Sequence, residues 1–356
     1  MTSLKHVTIL LIALLLSTMT ESVAPTQQLK PAYMRPPGVE GMWIRPQDGP
    51  AEPVIGFKDG IRIALWPALG GPRGIIRVCA PYVFPGQTRS LINFIAVEPI
   101  VGEDRGYSEL EMSVLDQAHG KRMWFSDEVS EAPTPAYSWR GARGKIGKIK
   151  VGGKEIETLT IVINVEKFDN GAHPIVQTTF RADRPNEVAL KTFAAKDSAP
   201  MESCVLTATM GNYARTRLLW LRDEILDSRK VWPGYDGHDF AWTGDIPAER
   251  LRREKDGTLT AAITPSEKDP ASVEFEPKWW AFSGKVATQY WRKYPGAAKT
   301  DLKIRVNGRA IYYGTQTHIP GGVAYENFEM IEPFVPGSEV SFGVTLKTPE
   351  QLGWKK

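Results

Sequence analysis

Within Gly211-Asn212-Tyr213-Ala214-Arg215-Thr216-Arg217, an aromatic ring and two guanidinium groups recur at every second position. The heptad lies inside a strand-like run from Glu202 to Trp220. Alternation along an extended strand sends Tyr213, Arg215 and Arg217 to one face. That face would present planar, forked donors suited to carboxylate or sulfate beside an aromatic surface. A solvated sheet face fits the same pattern.

A second constellation begins at Tyr312-Tyr313, passes His318 and Ile319-Pro320-Gly321-Gly322, and enters Tyr325-Glu326-Asn327-Phe328-Glu329. His318 then stands at a strand end, where an imidazole serves as general acid or base. A surface histidine with a structural hydrogen bond is the plainer alternative. Alternation groups Glu326 with Phe328, Met330 and Glu332, and groups Glu329 with Tyr325, Asn327 and Ile331. The Asn327/Glu329 face is the expected sugar-contacting surface, with Glu326 beside His318 at the strand mouth. Tyr313 would join them.

Glu98 follows the apolar run Leu91–Val97 and precedes Pro99, which predicts a carboxylate at a strand end near the rim. Asn93 inside that run is expected either to be hydrogen-bonded or to face a groove. Glycoside hydrolysis uses two carboxyl groups across the scissile bond, and Glu98, Glu326 and Glu329 are the candidates. Trp279-Trp280 and Tyr290-Trp291-Arg292 are further groove candidates, since neighbours on a strand point to opposite faces. Trp291 and Arg292 are taken as substrate-binding, with Arg292 joining Arg215 and Arg217 around an acidic sugar. Full packing in a two-layer sandwich explains the tryptophans equally well.

Other chemistries find less support. Asp236, His238 and Asp239 match no zinc spacing; the two carboxylates would suit a structural calcium, and an ordinary polar loop suits them as well. Gly70-Gly71, Gly152-Gly153 and Gly321-Gly322 form no phosphate loop or dinucleotide fingerprint, so no nucleotide cofactor is expected. The net charge of +3 is spread along the 356 residues. Without a dense basic tract interleaved with aromatics, nucleic acid is not an expected partner. The 11 Trp and 11 Tyr suit core, interface or sugar platforms.

The elements that must position these residues are strands. Segments rich in Val, Ile, Thr, Tyr, Phe and Trp recur from about 61 to 346, and long helical periodicity is nearly absent. Ile246–Glu254 is expected as a short helix, and Pro349–Trp354 as a terminal turn. Asn307-Gly308 predicts a two-residue hairpin, and Gly152-Gly153 a turn between Ile149–Val151 and the run beginning near Glu155. Asp59-Gly60 and Asp256-Gly257 punctuate further strands. The stretch 222–272 breaks the rhythm and reads as an irregular excursion over the sheet. With no alternating helices and no internal repeat, the expected fold is all-β, a large antiparallel sandwich.

Lys5-His6 followed by Val7–Leu16 and small polar residues reads as a signal peptide over 1–24. It is too short for a membrane span, which points to a secreted or periplasmic protein. Residues 25–55 read as an extended leader and 56–356 as a single sandwich domain. Cys79 and Cys204 allow one bridge or two buried thiols.

The succession of long strands, closing on Glu332-Pro333-Phe334-Val335-Pro336-Gly337 before Ser338–Leu346, resembles the mutarotase-like supersandwich. That group includes sugar epimerases and the sheet domains of glycan hydrolases and lyases. The resemblance is architectural, and no site residue follows from it. It implies a polysaccharide or oligosaccharide partner, here an acidic one given the arginines. A glycoside hydrolase using carboxylate acid/base chemistry is the leading expectation. A uronate lyase, a sugar epimerase and a non-catalytic glycan-binding or envelope protein are the alternatives.

Overall fold

The computed structural model describes residues 35–47, 51–82, 91–129, 142–209, 211–267, 286–295, 301–313 and 315–354. The expected signal peptide and the Trp279-Trp280 pair lie outside these residues. All described residues belong to one compact unit, Tyr33–Lys356. It is all-β: two large antiparallel sheets, with one four-residue α-helix at Ser228–Val231 and one 3-10 turn at Ala248–Arg250 among the described residues.

The first sheet has 12 strands. Its path runs from Gly38–Glu40 through Trp43–Arg45, Val54–Phe57, Arg62–Ala64, Ile75–Cys79 and Leu91–Val101, then Ser203–Thr209, Ala324–Ile331, Lys303–Arg309 and Ala241–Trp242. The second sheet has 11 strands. It is centred on Leu259–Pro265, Thr288–Lys293, Glu339–Thr345, Glu187–Ala194, Pro174–Arg181 and Lys154–Val165. The sheet therefore already includes Gly38–Glu40 and Trp43–Arg45, inside the stretch expected to be a leader. Leu259–Pro265 is a full strand of the second sheet, inside the expected excursion. Before it, the chain crosses to the first sheet at Ala241–Trp242 and Ile246–Pro247, then returns at Arg252–Arg253. The helix expected over Ile246–Glu254 is replaced by these short pieces.

Period-two alternation builds the core. Ile95, Val97, Leu206, Ala208, Phe328 and Val306 of the first sheet join Ile161, Val176, Leu190, Ile263, Trp291 and Phe342 of the second in one buried cluster. Two polar ties cross it. Trp291 Nε1 donates to the Phe328 carbonyl at 2.8 Å, and Asn93 Nδ2 donates to Gln289 Oε1 at 2.6 Å. Asn93 thus faces inward and is hydrogen-bonded, the first of its two expected fates.

Gly152-Gly153 is a two-residue turn with φ of 54° and 82°, joining Lys145–Val151 to Lys154–Val165 as expected. Asn307-Gly308 is not a turn. Lys303–Arg309 runs through it, and a register shift lies between Val306 and Gly308. The glycine serves packing: a Cβ there would stand 2.5 Å from Cζ3 of Trp232. Pro349–Trp354 forms the expected terminal turn. Cys79 and Cys204 are free thiols on strands separated by Leu91–Val101. Burial, reinforced by the charge of Glu98, pushes the Cys204 thiol up to about 12.

Candidate functional site

The main core claims one face of each sheet, smaller apolar clusters around Tyr213 and Trp220 cover parts of the outer faces, and chemistry is left to the remainder. On the first sheet, Thr207 stands opposite Ala96 on one neighbouring strand and Glu329 on the other, while Val205 stands opposite Glu98. Cross-strand partners share a face, which puts Glu98, Thr207 and Glu329 on the outer side. Glu98 does not end its strand, which continues through Pro99 to Val101. A Gly102-Glu103 reversal, φ 56° and 69°, then returns Arg105 opposite Ile100.

Arg105 ties the acids together. Its Nε donates to Glu98 Oε2 at 2.6 Å, and its Nη2 reaches both Glu98 Oε2 and Glu329 Oε1, the latter at 2.7 Å. Thr207 Oγ1 donates to Glu329 Oε1 at 3.1 Å. Sharing one nitrogen keeps these carboxyl oxygens within about 5 Å of each other, the separation used by retaining glycosidases. Yet Glu98 is 2% and Glu329 1% exposed, with the cation between them. A substrate cannot enter that arrangement, which is a closed ion cluster and not a reactive pair. Burial, then the charge of nearby Glu109, hold the Glu98 carboxyl well above its ordinary range against the opposing pull of Arg105. Glu109 is half-buried and is pushed to about 7, chiefly by desolvation.

Glu326 sits differently from the alternation prediction. Val306 pairs with Phe328 while Gly308 pairs with Tyr325, so Glu326 and Asn327 together oppose Asn307. This bulge turns Glu326 to the same side as Asn327. Its carboxyl accepts from the Asn212 backbone N–H and lies near Arg309. Oε2 is buried without a hydrogen-bond partner. Burial outweighs the guanidinium and raises this carboxyl to about 8. At neutral pH it is mostly protonated, in the state required of a proton donor.

Around Arg309 lie aromatic rings, Phe240 and Trp242 from the crossing segment and Tyr313 from the loop after Lys303–Arg309. The Arg309 guanidinium is 4.9 Å from the Phe240 ring centroid and 5.4 Å from that of Tyr313, and donates to the His238 carbonyl at 3.0 Å. Phe240 packs against Trp242 at 5.8 Å. Trp242 is 53% and Tyr313 52% exposed. Flat exposed rings around a buried guanidinium offer a stacking surface for an apolar sugar face.

The leading sequence candidates divide accordingly. The run Glu202–Trp220 is not one strand: Gly211–Arg215 is a turn, with Arg215 at φ 50°, and Thr216–Trp220 belongs to the second sheet. Tyr213 is fully buried and stacked on Tyr312 at 5.4 Å. Arg215 Nε donates to Tyr312 Oη at 3.1 Å. Arg217 is fully buried, bound to the Pro320 and Gly322 carbonyls and to Glu267. It holds the loop and is closed to a ligand. Trp291 is core. Arg292 lies on the outer face of the second sheet with Glu187, sharing no hydrogen-bond partner with Arg215 or Arg217. His318 is exposed at an isolated bridge with Ile311. The Asn327 N–H donates to Asn307 Oδ1 at 2.9 Å. Asp236, His238 and Asp239 are exposed, and no metal-ligating trio occurs among the described residues.

Arg105, Glu109, Arg309, Phe240 and Trp242 escaped the sequence reading. The Gly102-Glu103 turn was the available signal for Arg105, since it folds the chain back onto Glu98. Nothing local marked Arg309, whose surroundings come from a segment about 70 residues away.

No protein-family model matches the chain, and no curated protein matches it. Among solved structures, the galactosidase domain of alpha-galactosidase-sucrose kinase is similar over 86% of this chain, at 9% sequence identity and a TM-score of 0.39. The match spans 42% of that chain, under half its length. At such a distance, fold and function rest on the residues themselves.

Proposed function

We propose that the protein is carbohydrate-active and takes a sugar on the outer face of the first sheet, at the rings of Phe240, Trp242 and Tyr313. One observation carries the reading: Glu326, whose carboxyl burial raises to about 8 and whose Oε2 is unpartnered, lies near Arg309, the guanidinium that the exposed rings of Phe240 and Tyr313 flank. Hydrolysis of a glycosidic bond is the reaction this arrangement favours, with Glu326 protonating the departing oxygen. Glu98 and Glu329, sealed around Arg105, do not supply its partner carboxyl. The lyase reading loses Arg217 as its carboxylate clamp, since that side chain is fully buried with Nη1 and Nη2 engaged, and keeps only Arg215.

The test is turnover on neutral, uronic-acid-containing and sulfated oligosaccharides, followed by mass spectrometry and by ultraviolet absorbance of an unsaturated product. Cleavage without the chromophore, reduced about 100-fold or more by Glu326→Gln, is expected. Trp242→Ala should weaken sugar binding about tenfold, a loss of ~1.4 kcal/mol. Cleavage that survives Glu326→Gln, or a new absorbing product, overturns the hydrolase assignment. Binding without turnover returns the site to a glycan-binding role, and binding indifferent to Trp242→Ala overturns the location.

A further inference from the structure

The second sheet carries a polar feature that the sugar reading does not use. Arg252 stands directly opposite Thr260, and Thr260 directly opposite Arg292, placing two guanidinium side chains in one row across three strands. This row faces outward, because Trp291 on the alternate face is core. An open cleft of about 610 Å³ forms here, lined by Arg184, Arg252, Arg253, Lys255, Arg292 and Tyr294, with Glu254 and Asp256 among its other walls. Small-ligand sites occupy roughly 300–1,000 Å³.

Two of the five cations are engaged. Arg292 pairs with Glu187, whose carboxylate also accepts from Tyr290 Oη at 3.1 Å and Tyr294 Oη at 2.6 Å. Arg252 meets Glu254 at 3.7 Å and donates to the Gly353 carbonyl at 2.9 Å. Even so, the Nε atoms of both arginines and the hydroxyl of Thr260 are buried without hydrogen-bond partners. Arg184, Arg253 and Lys255 form no ion pair among the described residues. The Arg184 guanidinium lies 3.9 Å from the Tyr294 ring centroid, which fixes it over the cleft wall. Asp256 makes no ion pair among the described residues; it accepts from the Thr258 N–H at 2.9 Å, and that bond, with a smaller contribution from the Arg184 charge, holds it below its usual range.

We propose that this cleft is a second binding site, for a small ligand bearing two or more anionic groups. Arg184, Arg253 and Lys255 would take the anions, above a floor set by Arg252 and Arg292. Sulfate, phosphate and carboxylate share the chemistry required, a delocalised negative charge matched to forked or point-like donors. The site stands on the opposite sheet from Glu326 and is independent of the sugar reading there.

The experiment is calorimetric titration of the mature protein with a disulfated disaccharide, digalacturonate, inorganic phosphate and a neutral disaccharide. Saturable binding of at least one multiply charged probe is expected, with the strongest probe identifying the anion. The triple variant R184A/R253A/K255A should weaken it at least tenfold, and K255E alone several-fold with an unchanged melting temperature. Raising salt from about 0.05 to 0.3 M should also weaken it, since screening at these partly open sites is strong. Glu326→Gln and Trp242→Ala should leave this binding untouched. No binding of any charged probe, equal binding of the neutral disaccharide, or full affinity in both cleft variants overturns the proposal. Loss of anion binding through Trp242→Ala would instead place the ligand on the first sheet and overturn it as well.

Discussion

Replacing Glu326 by Gln gives a test of the buried acid that does not depend on knowing a substrate. The glutamate carboxyl moves from 4.5 to about 8 on folding because burial penalises its ionised form. Below pH 4.5 both states hold the proton, and the group contributes its full stabilisation. Between 4.5 and about 8 the unfolded chain releases the proton while the fold retains it, so stability falls by ~1.4 kcal/mol per pH unit. Above about 8 the loss levels off, near ~5 kcal/mol as an upper bound. Glutamine does not titrate; it adds only a pH-independent cost of ~1–3 kcal/mol for an unpaired amide donor. At ~2.1 cal/mol/K per residue, a fold of this size loses about 1.5 °C per kcal/mol. The melting temperature of the wild type relative to Glu326→Gln should therefore drop by about 7 °C between pH 4.5 and 8.5. Differential scanning fluorimetry of both proteins in matched buffers reads it directly, and contributions from Glu98 and Glu109 cancel in the difference. Two parallel profiles, offset by a constant, would refute the assignment of Glu326 as a buried neutral acid.

Arg105→Met should leave Glu98 and Glu329 buried without their cation, costing ~3–5 kcal/mol at pH 8. Urea titration should show a smaller cost at pH 5, where protons replace the guanidinium; equal losses at both pH values would count against the closed ion cluster. Trp291→Ala removes a fully buried indole and its bond to the Phe328 carbonyl, with an expected loss of ~3–5 kcal/mol in the same assay; a near-neutral result would deny it a role in holding the sheets together. Cys79 and Cys204 should both resist alkylation at pH 8 until denaturant is added, then react without prior reduction, which thiol titration with mass analysis can follow.

Strand content and the sandwich were legible because β-branched and aromatic residues alternate over most of the chain, and the Gly152-Gly153 turn because both positions need positive φ. The same logic failed at Asn307-Gly308. There the glycine accommodates Trp232, and Asn307 serves the bulge by accepting the Asn327 N–H. That bulge also moved Glu326 to the face of Glu329, which strict alternation forbids. A turn at Gly211–Arg215 split the row Tyr213, Arg215 and Arg217, and the strands on either side of it belong to different sheets. One-residue departures from period two are set by packing between distant segments, and a local pattern does not contain them.

On the first sheet, pairing with a cation separates the acids more sharply than exposure does, since Glu326 is 5% exposed against 2% for Glu98 and 1% for Glu329. Around Arg105 the acids have the spacing of a catalytic pair, yet the cation and the burial together remove them from any substrate. Opening that cluster would strip a guanidinium from two buried carboxylates, a change costing several kcal/mol that a sugar hydroxyl cannot repay. Glu326 needs no such opening of an ion pair. Burial keeps it neutral and its Oε2 lacks a partner, while the Asn212 turn and the cluster around Phe94, Tyr213 and Tyr312 cover part of this side of the sheet. On the second sheet the relation is inverted, with charges that are open and carboxylates too few to neutralise them. The two proposals thus divide the ligands by charge, a neutral or weakly charged sugar on the first face and an anion on the second. A glycan bearing both kinds of unit would have to be long enough to pass around the edge of the sandwich to engage the two sites at once.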